Sequence, residues 1–511
     1  MTDISIVERA RRFASRLAIT SESTGFTYSD LLNRSAEVAT GLLDGRANLK
    51  EARVAFLMPS GFDYVGTQWG VWRAGGVAVP LCVSHPRPEV EYVLTDTQAD
   101  TVIAHPEFED FLRPIAGDLG LRFRTLTQLG DCPPAELPAI DEDQRAMILY
   151  TSGTTGKPKG VVTTHLIIRA QIETLVQAWA WTSEDRIIGF LPLHHIHGLI
   201  NVLGCALWSG AVCDMMPGFD AERVWQRTVE TDSTLFMAVP AVYARLAASW
   251  DAASREEQQR RSASCEKLRL MVSGSAALPV KMLERWEAIS GHRLLERYGM
   301  TEIGMALSNP YEGERLPGRV GRPLPGVEAR LMDEANHVID EETDAESDTE
   351  VPGEIQIKSH SVFKEYWRRP EETSKGFTGG WFMTGDIATR TDGVYRILGR
   401  SSVDIIKTGG YKVSALEIEE VLRTHDAIAD CAVVGIEDDQ WGERVSAVWV
   451  VTDGHSAETA ALQDWCKERL APYKVPRQFE MVADLPRNVI GKVTKPDVSK
   501  LLSSLWKEPP G

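Results

Sequence analysis

The chain has 511 residues, several times what one hydrophobic core usually supports, so we expect at least two domains. A content of 43% hydrophobic and 25% charged residues is that of an ordinary globular protein. The formal net charge of −18 argues against nucleic acid or an anionic membrane as a partner, because both require a basic face.

Cysteine usage and hydropathy narrow the class of protein further. The seven cysteines form no Cys-x-x-Cys pair, which fits neither a disulfide scaffold nor a zinc framework and favours a reducing compartment. The most apolar stretch, residues 76–83, has the length of a strand and not of a membrane span. Residues 1–17 lack the apolar core of a signal peptide and are interpreted as a surface helix. We expect a cytoplasmic protein, with an organelle matrix as the alternative.

Residues 1–330 alternate between helical and extended patterns. Apolar residues at helical spacing predict helices over 29–43 and 63–75. Short apolar runs predict strands over 52–58, 77–81, 101–105, 145–152 and 269–276. This alternation predicts mainly parallel sheets covered by helices, with ligand-binding loops at the carboxyl ends of the strands.

The pattern changes after about residue 315, where glycine- and proline-rich segments separate short strands and predict a small β-barrel. Residues 340–350 hold seven acidic side chains in eleven and are interpreted as a solvated loop, because like charges repel. We expect residues 1–400 to form the large domain and 401–511 a small α+β domain. Its first helix begins at Ser414, which with Glu417 has the spacing of a capping box.

The stretch LYTSGTTGKPKG, residues 149–160, runs from a strand end into a polar, glycine-rich loop. Hydroxyls, backbone N–H groups and lysines are the groups with which proteins bind phosphate. The stretch is not a Walker loop, because Thr151 stands where the first glycine is required and Pro158 follows Lys157 in place of a hydroxyl residue. The dinucleotide fingerprint Gly-x-Gly-x-x-Gly is also absent from the sequence.

The spacing of this loop resembles the phosphate-binding loop of the adenylate-forming superfamily, which includes acyl-CoA synthetases, peptide-synthetase adenylation domains and luciferases. The resemblance implies that the loop binds the outer phosphates of ATP. It assigns to ATP Thr151, Ser152, Gly153, Thr154, Thr155, Gly156, Lys157 and Lys159.

Further motifs of that superfamily follow in order: GSAAL at 274–278, RYGMTE at 297–302, TGD at 384–386, GR at 399–400 and PRNVIGK at 486–492. By resemblance, they place Tyr298 against the adenine, Thr301 at the α-phosphate and Glu302 on Mg²⁺, a metal usually held by few carboxylates. The remaining assignments are Asp386 and Arg400 to the ribose side, Gly274, Ser275, Ala276, Gly299 and Met300 to the adenine side, and Lys492 as the catalytic lysine.

The family rotates its C-terminal domain between the two half-reactions, which exposes the acyl-adenylate to coenzyme A. The corresponding hinge follows Arg400, at Ser401 or Ser402, because this sequence has one residue more than the commonest spacing before its paired glycines. Those glycines, Gly409 and Gly410, are assigned to the pantetheine arm of coenzyme A.

Several longer segments resemble malonyl-CoA synthetases in particular: 191–203, 273–279, 294–310, 315–327 and 402–419. Two arginines suit a dicarboxylic acid, whose second carboxylate requires a charged partner. Arg297 precedes the adenine tyrosine, and Arg245 is expected to be buried in the acyl pocket, although a surface position on a helix is the alternative.

The sequence His-His-x-His at 194–197 does not predict a metal site, because adjacent histidines on a strand point to opposite faces and no acidic partner follows. The family resemblance instead places His195 in a catalytic position near the acyl and thiol passage. His197, Asn201 and Met305 are assigned to the substrate pocket.

The resemblance therefore implies an enzyme that ligates malonate or methylmalonate to coenzyme A, with ATP and Mg²⁺. Ligation of another short or aromatic acid is the alternative, and luciferase-type oxidation uses similar motifs. A protein that only binds nucleotide or acyl groups is disfavoured, because it has no use for Lys492, Glu302 and a complete loop together.

Overall fold

The computed structural model describes residues 3–21, 24–130, 136–151, 157–340, 351–409, 411–438, 441–487 and 493–505. The helices are α1 (Ser5–Ala10), α2 (Tyr28–Leu43), α3 (Phe62–Arg73), α4 (Arg87–Thr97), α5 (Glu109–Asp118), α6 (Leu126–Gly130), α7 (His165–Ala178), α8 (Cys205–Ser209), α9 (Ala221–Glu230), α10 (Pro240–Ala252), α11 (Arg255–Cys265), α12 (Val280–Ser290), α13 (Pro370–Lys375), α14 (Ala415–Arg423), α15 (Thr459–Lys467) and α16 (Lys495–Leu505). A π-helix covers His197–Gly204, and 3₁₀ turns cover Arg11–Phe13, Pro106–Phe108 and Pro472–Lys474.

The strands of the first part of the chain are β1 (Leu17–Ser21), β2 (Thr24–Thr27), β3 (Arg53–Leu57), β4 (Val77–Pro80), β5 (Thr101–Ala104), β6 (Arg122–Thr125), β7 (Arg145–Thr151), β8 (Lys159–Thr164), β9 (Arg186–Gly189), β10 (Val212–Met215), β11 (Leu235–Ala238), β12 (Leu270–Ser273), β13 (Leu295–Met300), β14 (Gly304–Ser308) and β15 (Arg322–Pro323). The later strands are β16 (Val327–Met332), β17 (Val338–Ile339), β18 (Gly353–Ser359), β19 (Glu365–Tyr366), β20 (Phe377–Thr378), β21 (Trp381–Thr391), β22 (Val394–Arg400), β23 (Ile405–Thr408), β24 (Tyr411–Ser414), β25 (Ile428–Asp438), β26 (Gly442–Val451) and β27 (Gln478–Met481).

Two large, mainly parallel sheets contain most of the early strands. The first has the order β15-β14-β13-β12-β11-β9-β10-β1-β2, with parallel pairing from β13 to β1 and antiparallel strands at both edges. The second has the order β19-β8-β7-β4-β3-β5-β6, parallel from β7 to β6. The loops after β7, β9 and β12 follow the carboxyl ends of parallel strands, where ligand loops are expected.

Two smaller sheets complete the chain. A curled half-barrel has the order β17-β16-β18-β21-β20, with β22 on β21. The C-terminal sheet has the order β24-β23-β26-β25, with β27 on β26, and packs against α14, α15 and α16. The predicted fold class is confirmed: a large region of helix-covered parallel sheets and a small barrel, followed by a small α+β domain. The boundary at residue 400 stays a prediction.

Small residues allow the two helices α2 and α3 to pack closely. A Cβ on Gly70 would lie 2.5 Å from Val38 Cγ1, and one on Gly66 would lie 2.5 Å from Arg34 Cγ. The core around them buries large side chains, with Trp69 on α3 1% exposed. This packing anchors the strands β3 and β4 on which the second sheet is built.

The N-terminal segment forms helix α1, as predicted, and buries one face through Ile6, Val7 and Ala10. The predicted capping box at α14 forms only in part. Ser414 Oγ accepts from the Glu417 backbone N–H at 3.2 Å, but the Glu417 carboxylate binds Lys474 Nζ at 2.6 and 2.8 Å. A lysine offers that carboxylate a full charge, which the helix N-terminus cannot. No helix within the described ranges is long and apolar enough to cross a membrane.

Candidate active site

The predicted phosphate loop lies between two antiparallel strands. Thr151 ends β7 and pairs with Lys159, which begins β8. Lys157 is exposed, with Nζ 5.7 Å from the Tyr92 ring centre. The predicted loop residues Ser152, Gly153, Thr154, Thr155 and Gly156 lie outside the described residues.

Lys159 and Glu302 meet through Tyr366. Lys159 Nζ forms an ion pair with Glu372 and lies 5.1 Å from the centre of the Tyr366 ring. The Tyr366 hydroxyl donates to Glu302 Oε1 at 2.9 Å. Strand β19, which carries Tyr366, pairs with β8, and this pairing places the Tyr366 side chain between Lys159 and Glu302.

The surroundings of the Glu302 carboxylate suit a bound cation. It is 6% exposed, and burial raises the pKa of its carboxyl despite the hydrogen bond from Tyr366. A bound cation would reverse this shift by stabilising the ionised form. One buried carboxylate of this kind fits Mg²⁺, which takes few protein ligands.

Tyr298, Asp386 and Arg400 form a hydrogen-bonded group that joins β13 to the half-barrel. The Tyr298 hydroxyl donates to Asp386 Oδ2 at 2.6 Å, and Arg400 Nε donates to Oδ1 at 3.0 Å. Burial and the Asp386 charge raise the pKa of Tyr298 well above its usual value. Burial alone would lower the pKa of Arg400, but the attraction of Asp386 outweighs it, so the net shift is upward. The three predicted nucleotide residues are therefore brought together.

The turn after β12 is fitted around Arg297. The side chain is 4% exposed, and Nη2 donates to Ser275 Oγ at 3.2 Å. A Cβ on Gly274 would lie 2.5 Å from the guanidinium carbon, so a residue without a side chain is required there. Ser275 has φ +69°, which turns the chain sharply and aims its hydroxyl at both Arg297 and His197 Nδ1, the latter at 3.3 Å.

Arg297 is buried, and no carboxylate of the described residues forms an ion pair with it. Burial lowers the pKa of the guanidinium to about 9. In the part of the chain that the structure describes, Arg297 Nε has no hydrogen-bond partner. An anion bound beside the guanidinium would offset the cost of an uncompensated buried charge.

Further buried polar atoms without described partners belong to the π-helix and to the end of β12. They are His197 Nε2, both amide atoms of Asn201, and Ser273 Oγ. Asn201 is fully buried and follows His197 by four residues on the π-helix, which places both side chains on one face. Because His197 contacts Ser275, this face is directed towards the Arg297 turn.

His195 lies in a turn between β9 and the π-helix, not on a strand, so the predicted strand geometry of the histidine cluster is wrong. The proline at 192 removes a strand N–H donor and favours the turn. The His194 and His195 rings are 4.2 Å apart. Burial and the neighbouring His194 and His85 lower the pKa of His195 to about 3, so the ring is neutral.

Arg245 departs from its expected environment. The sequence predicts a buried side chain, but Arg245 is exposed on α10. Its guanidinium lies 4.6 Å from the Phe219 ring centre. Its position one turn after the helix start puts it on the solvent side, opposite the buried Val242, Tyr243 and Leu246. The expectation of burial is therefore wrong, and its role as a carboxylate ligand stays a prediction.

The adenine-side and pocket residues cluster at the β13–β14 hairpin. A Cβ on Gly299 would lie 2.2 Å from Gly304 O and 2.6 Å from Met305 Cε, so only glycine fits. Met305 is 2% exposed, Met300 and Thr301 are half-buried beside it, and Ala276 is exposed after Ser275.

The predicted hinge and coenzyme A residues follow β22. The Ser401 N–H donates to Gly385 O at 2.9 Å, and Ser402 is exposed. Gly409 has φ +56° and donates its N–H to Trp441 O at 2.8 Å, while Arg477 stacks on the Trp441 ring at 3.7 Å. Gly410 and Lys492 lie outside the described residues.

Residues 6–367 match the family model of AMP-binding enzymes, and residues 417–492 match that of the AMP-binding enzyme C-terminal domain. The chain belongs to the AMP-binding enzymes. The superfamily predicted from the motifs is thereby confirmed.

Among the relatives of this chain, malonate–CoA ligase ACSF3, mitochondrial, of Homo sapiens is 45% identical over 96% of this chain and 90% of its own length. The compartment of this chain stays a prediction, with cytoplasm and organelle matrix as the alternatives.

Crystal structures of MatB from Rhodopseudomonas palustris share the fold of this AMP-binding enzyme. The ATP-bound form has a TM-score of 0.90 and the apo form one of 0.80, each at 32% identity over 99% of this chain and 100% of MatB. The described arrangement is thus nearer the ATP-bound structure than the apo structure.

Motif reasoning missed Tyr366 and Glu372 of this AMP-binding enzyme. They lie within the predicted large domain, in a segment of mixed aromatic and charged residues that has no periodicity. A signal was present in the sequence: a short aromatic and acidic cluster, 363–372, follows the β-strand pattern of 353–359. Only the pairing of β19 with β8 brings this cluster to Lys159 and Glu302.

Proposed function

We propose that this AMP-binding enzyme joins malonate to coenzyme A through a malonyl-adenylate, using ATP and releasing AMP and pyrophosphate. The observation that carries the proposal is the buried Arg297 guanidinium, whose Nε has no partner among the described residues. The 45% identity to a protein named malonate–CoA ligase supports the same substrate.

A dicarboxylate would complete the site at Arg297. Its second carboxylate pairs with the guanidinium in bidentate fashion, and a charged hydrogen bond of this kind contributes roughly 1.5–3 kcal/mol. An acid with one carboxylate would leave Arg297 unpaired, so discrimination of about 10⁴-fold is expected. Met305 is buried in the β13–β14 hairpin against Gly299, and we assign it to the substrate pocket. Malonate and methylmalonate both satisfy these requirements.

The buried polar atoms of His197, Asn201 and Ser273 support the same substrate. An apolar acyl chain placed against them would leave each without a hydrogen bond, at a cost of about 1–3 kcal/mol per group. A carboxylate or the water around it provides acceptors for the imidazole and amide donors. Arg245 is proposed as a second partner of the substrate carboxylate from the exposed side of α10.

In the first half-reaction, the reacting carboxylate attacks the α-phosphorus and pyrophosphate leaves. Both reactants are anionic, so positioning and charge neutralisation provide most of the rate. We assign Lys157 and Lys159 to the outer phosphates and Lys492 to the charge that develops at the reaction centre. Glu302 would hold Mg²⁺, which neutralises phosphate charge when bound.

The nucleotide is held by the group around Asp386. Tyr298 offers its ring to the adenine, Asp386 accepts from the ribose hydroxyls, and Arg400 holds that carboxylate in place through the hydrogen bond from its Nε. Thr301 is assigned to the α-phosphate. The phosphate-loop residues 151–156 and the adenine-side residues after β12 and β13 complete this set.

In the second half-reaction, the thiol of coenzyme A attacks the acyl carbonyl and AMP leaves. We propose that the domain of residues 401–511 rotates about Ser401 or Ser402 between the two steps. The pantetheine arm would pass Gly409 and Gly410 near His195. The left-handed conformation of Gly409 and its contact with Trp441 provide a close backbone approach that a side chain would block.

A panel of carboxylic acids tests the proposal. Malonate, methylmalonate, succinate, acetate, propionate and benzoate are assayed in parallel by pyrophosphate release and by consumption of coenzyme A. We expect malonate or methylmalonate to exceed the monocarboxylic acids in kcat/KM by at least 100-fold in both assays. Higher activity with acetate or benzoate would instead establish the general acyl- or aryl-CoA ligase.

A further inference from the structure

A carboxylate of the C-terminal domain caps a helix of the large domain. Glu420 on α14 accepts from the backbone N–H of Val280, the first residue of α12, at 3.0 Å. The N-cap residue of α12 is Pro279, whose side chain has no hydrogen-bonding group, and α12 has no acidic residue in its first turn. Glu420 therefore supplies from another domain what the sequence of α12 lacks.

A second, weaker contact lies beside the first. Lys281 Nζ is 3.8 Å from Asp426 Oδ1, but both side chains are highly exposed, at 59% and 89%. An exposed pair at this distance contributes little, because solvent screens it. Of the two contacts, the Glu420 cap is the one whose loss should be measurable.

The capped helix end is continuous with the predicted substrate site. Val280 follows directly after segment 274–279, which holds Gly274 against Arg297 and Ser275 against His197. Leu278, 4% exposed, anchors the segment in the core just before the cap. A displacement of the α12 N-terminus would therefore be transmitted to the residues proposed to bind the acid.

Glu420 also lies within electrostatic reach of β13. Glu296 on this strand precedes Arg297 and accepts from the Gly318 N–H at 2.9 Å. Burial, partly offset by that hydrogen bond, and the charge of Glu420 raise the pKa of Glu296 to about 8. Glu420 thus interacts with two elements that border Arg297. It accepts a hydrogen bond from the first residue of α12, and its charge acts on Glu296 of β13.

We propose that Glu420 is a positioning residue for adenylate formation: by capping α12 across the domain boundary, it holds the C-terminal domain and the acid-binding turn in the arrangement in which the carboxylate and ATP react. This inference rests on the proposed function. In the second half-reaction the domain rotates, so the cap is broken and Glu420 has no part in thioester formation. The described arrangement is nearer the ATP-bound MatB structure than the apo one.

The test separates the two half-reactions in Glu420→Ala and Glu420→Gln. Adenylate formation is measured as acid-dependent exchange of labelled pyrophosphate into ATP, and thioester formation from supplied acyl-adenylate and coenzyme A. We expect Glu420→Ala to slow the exchange about tenfold and to leave thioester formation within twofold of the parent. Glu420→Gln keeps an oxygen acceptor and should lose no more than threefold.

Asp426→Ala is the matched control. It removes the acidic side chain that contacts Lys281 beside the cap but leaves the cap itself, and should change neither rate more than twofold.

The assay uses whichever acid of the panel gives the fastest exchange, so failure of malonate as a substrate does not decide the result. An equal loss in both half-reactions, a loss confined to thioester formation, or no change in Glu420→Ala would each overturn the proposal. A thermal melt of each variant separates unfolding from a loss of positioning.

Discussion

We propose that selectivity for a diacid depends on the protonated, buried side chain of Arg297. Gly274 leaves space for the guanidinium, and Ser275 accepts a hydrogen bond from one of its nitrogens. Burial disfavours the unpaired charge of the guanidinium, so a carboxylate ligand would stabilise it. Gly274 and Ser275 belong to the turn after β12, and Arg297 lies on β13. The proposed acid site therefore depends on how this turn packs against β13.

Arg297→Ala should therefore separate malonate from its monocarboxylic analogue. We expect kcat/KM for malonate to fall at least 100-fold and that for propionate to fall less than fivefold, because propionate makes no ion pair for the variant to lose. Steady-state pyrophosphate release with both acids measures the difference. Arg245→Ala, on the exposed face of α10, is the comparison and should give the smaller loss. A uniform loss for both acids in Arg297→Ala would remove the diacid argument.

At the scale of elements, residue patterns predicted the strands well but not the contacts between them. The runs at 52–58 and 101–105 became β3 and β5, since buried parallel strands are continuous apolar segments. The π-helix was not predicted, because its residues are nearly all apolar and have no period that separates it from a buried strand or α-helix. The link from Lys159 to Glu302 through Tyr366 depends on the pairing of β19 with β8, which joins residues about 200 positions apart.

Strand β13 contains a carboxyl that should make stability depend on pH. Burial and Glu420 raise the pKa of Glu296 to about 8 in the folded state, so the folded protein holds this proton more tightly than the unfolded chain. Stability is then greatest below the unfolded pKa and is lost as the pH rises towards 8. Between pH 6 and pH 8 this group should remove about 2–3 kcal/mol.

Glu296→Gln stays neutral and keeps an acceptor for the Gly318 N–H, so its stability should fall less over that interval. Urea unfolding of parent and variant at pH 6, 7 and 8 measures the difference. Glu314→Gln, at an exposed position of the neighbouring loop, should follow the parent. Parallel curves for Glu296→Gln and the parent would show that the carboxyl is not held protonated.

At the scale of the whole molecule, the hydrogen bond from the Val280 N–H to Glu420 joins the C-terminal domain to the large domain. The nucleotide-binding roles of the motif residues stay predictions. The sequence predicted the family and the fold class, because local motifs and the alternation of helical and extended patterns encode them. It could not predict the Glu420 cap, since neither Glu420 nor Val280 belongs to a motif and they meet only in the folded protein. The exposure of Arg245 also depends on how α10 packs.

Lys492 of the C-terminal domain is proposed to act in only one of the two half-reactions. By family resemblance this lysine acts only while the acid and ATP react, and the domain rotation then withdraws it. Lys492→Ala should therefore reduce pyrophosphate exchange at least 100-fold, because a full charge at the reaction centre is lost, and leave thioester formation from supplied malonyl-adenylate within threefold. Lys500→Ala removes a lysine that is 79% exposed on α16 and should leave both rates unchanged. Glu420→Ala should reduce adenylate formation less than Lys492→Ala does, as expected for a group that positions rather than contacts the substrates. Equal losses in both half-reactions for Lys492→Ala would contradict the assignment of that lysine to the first step.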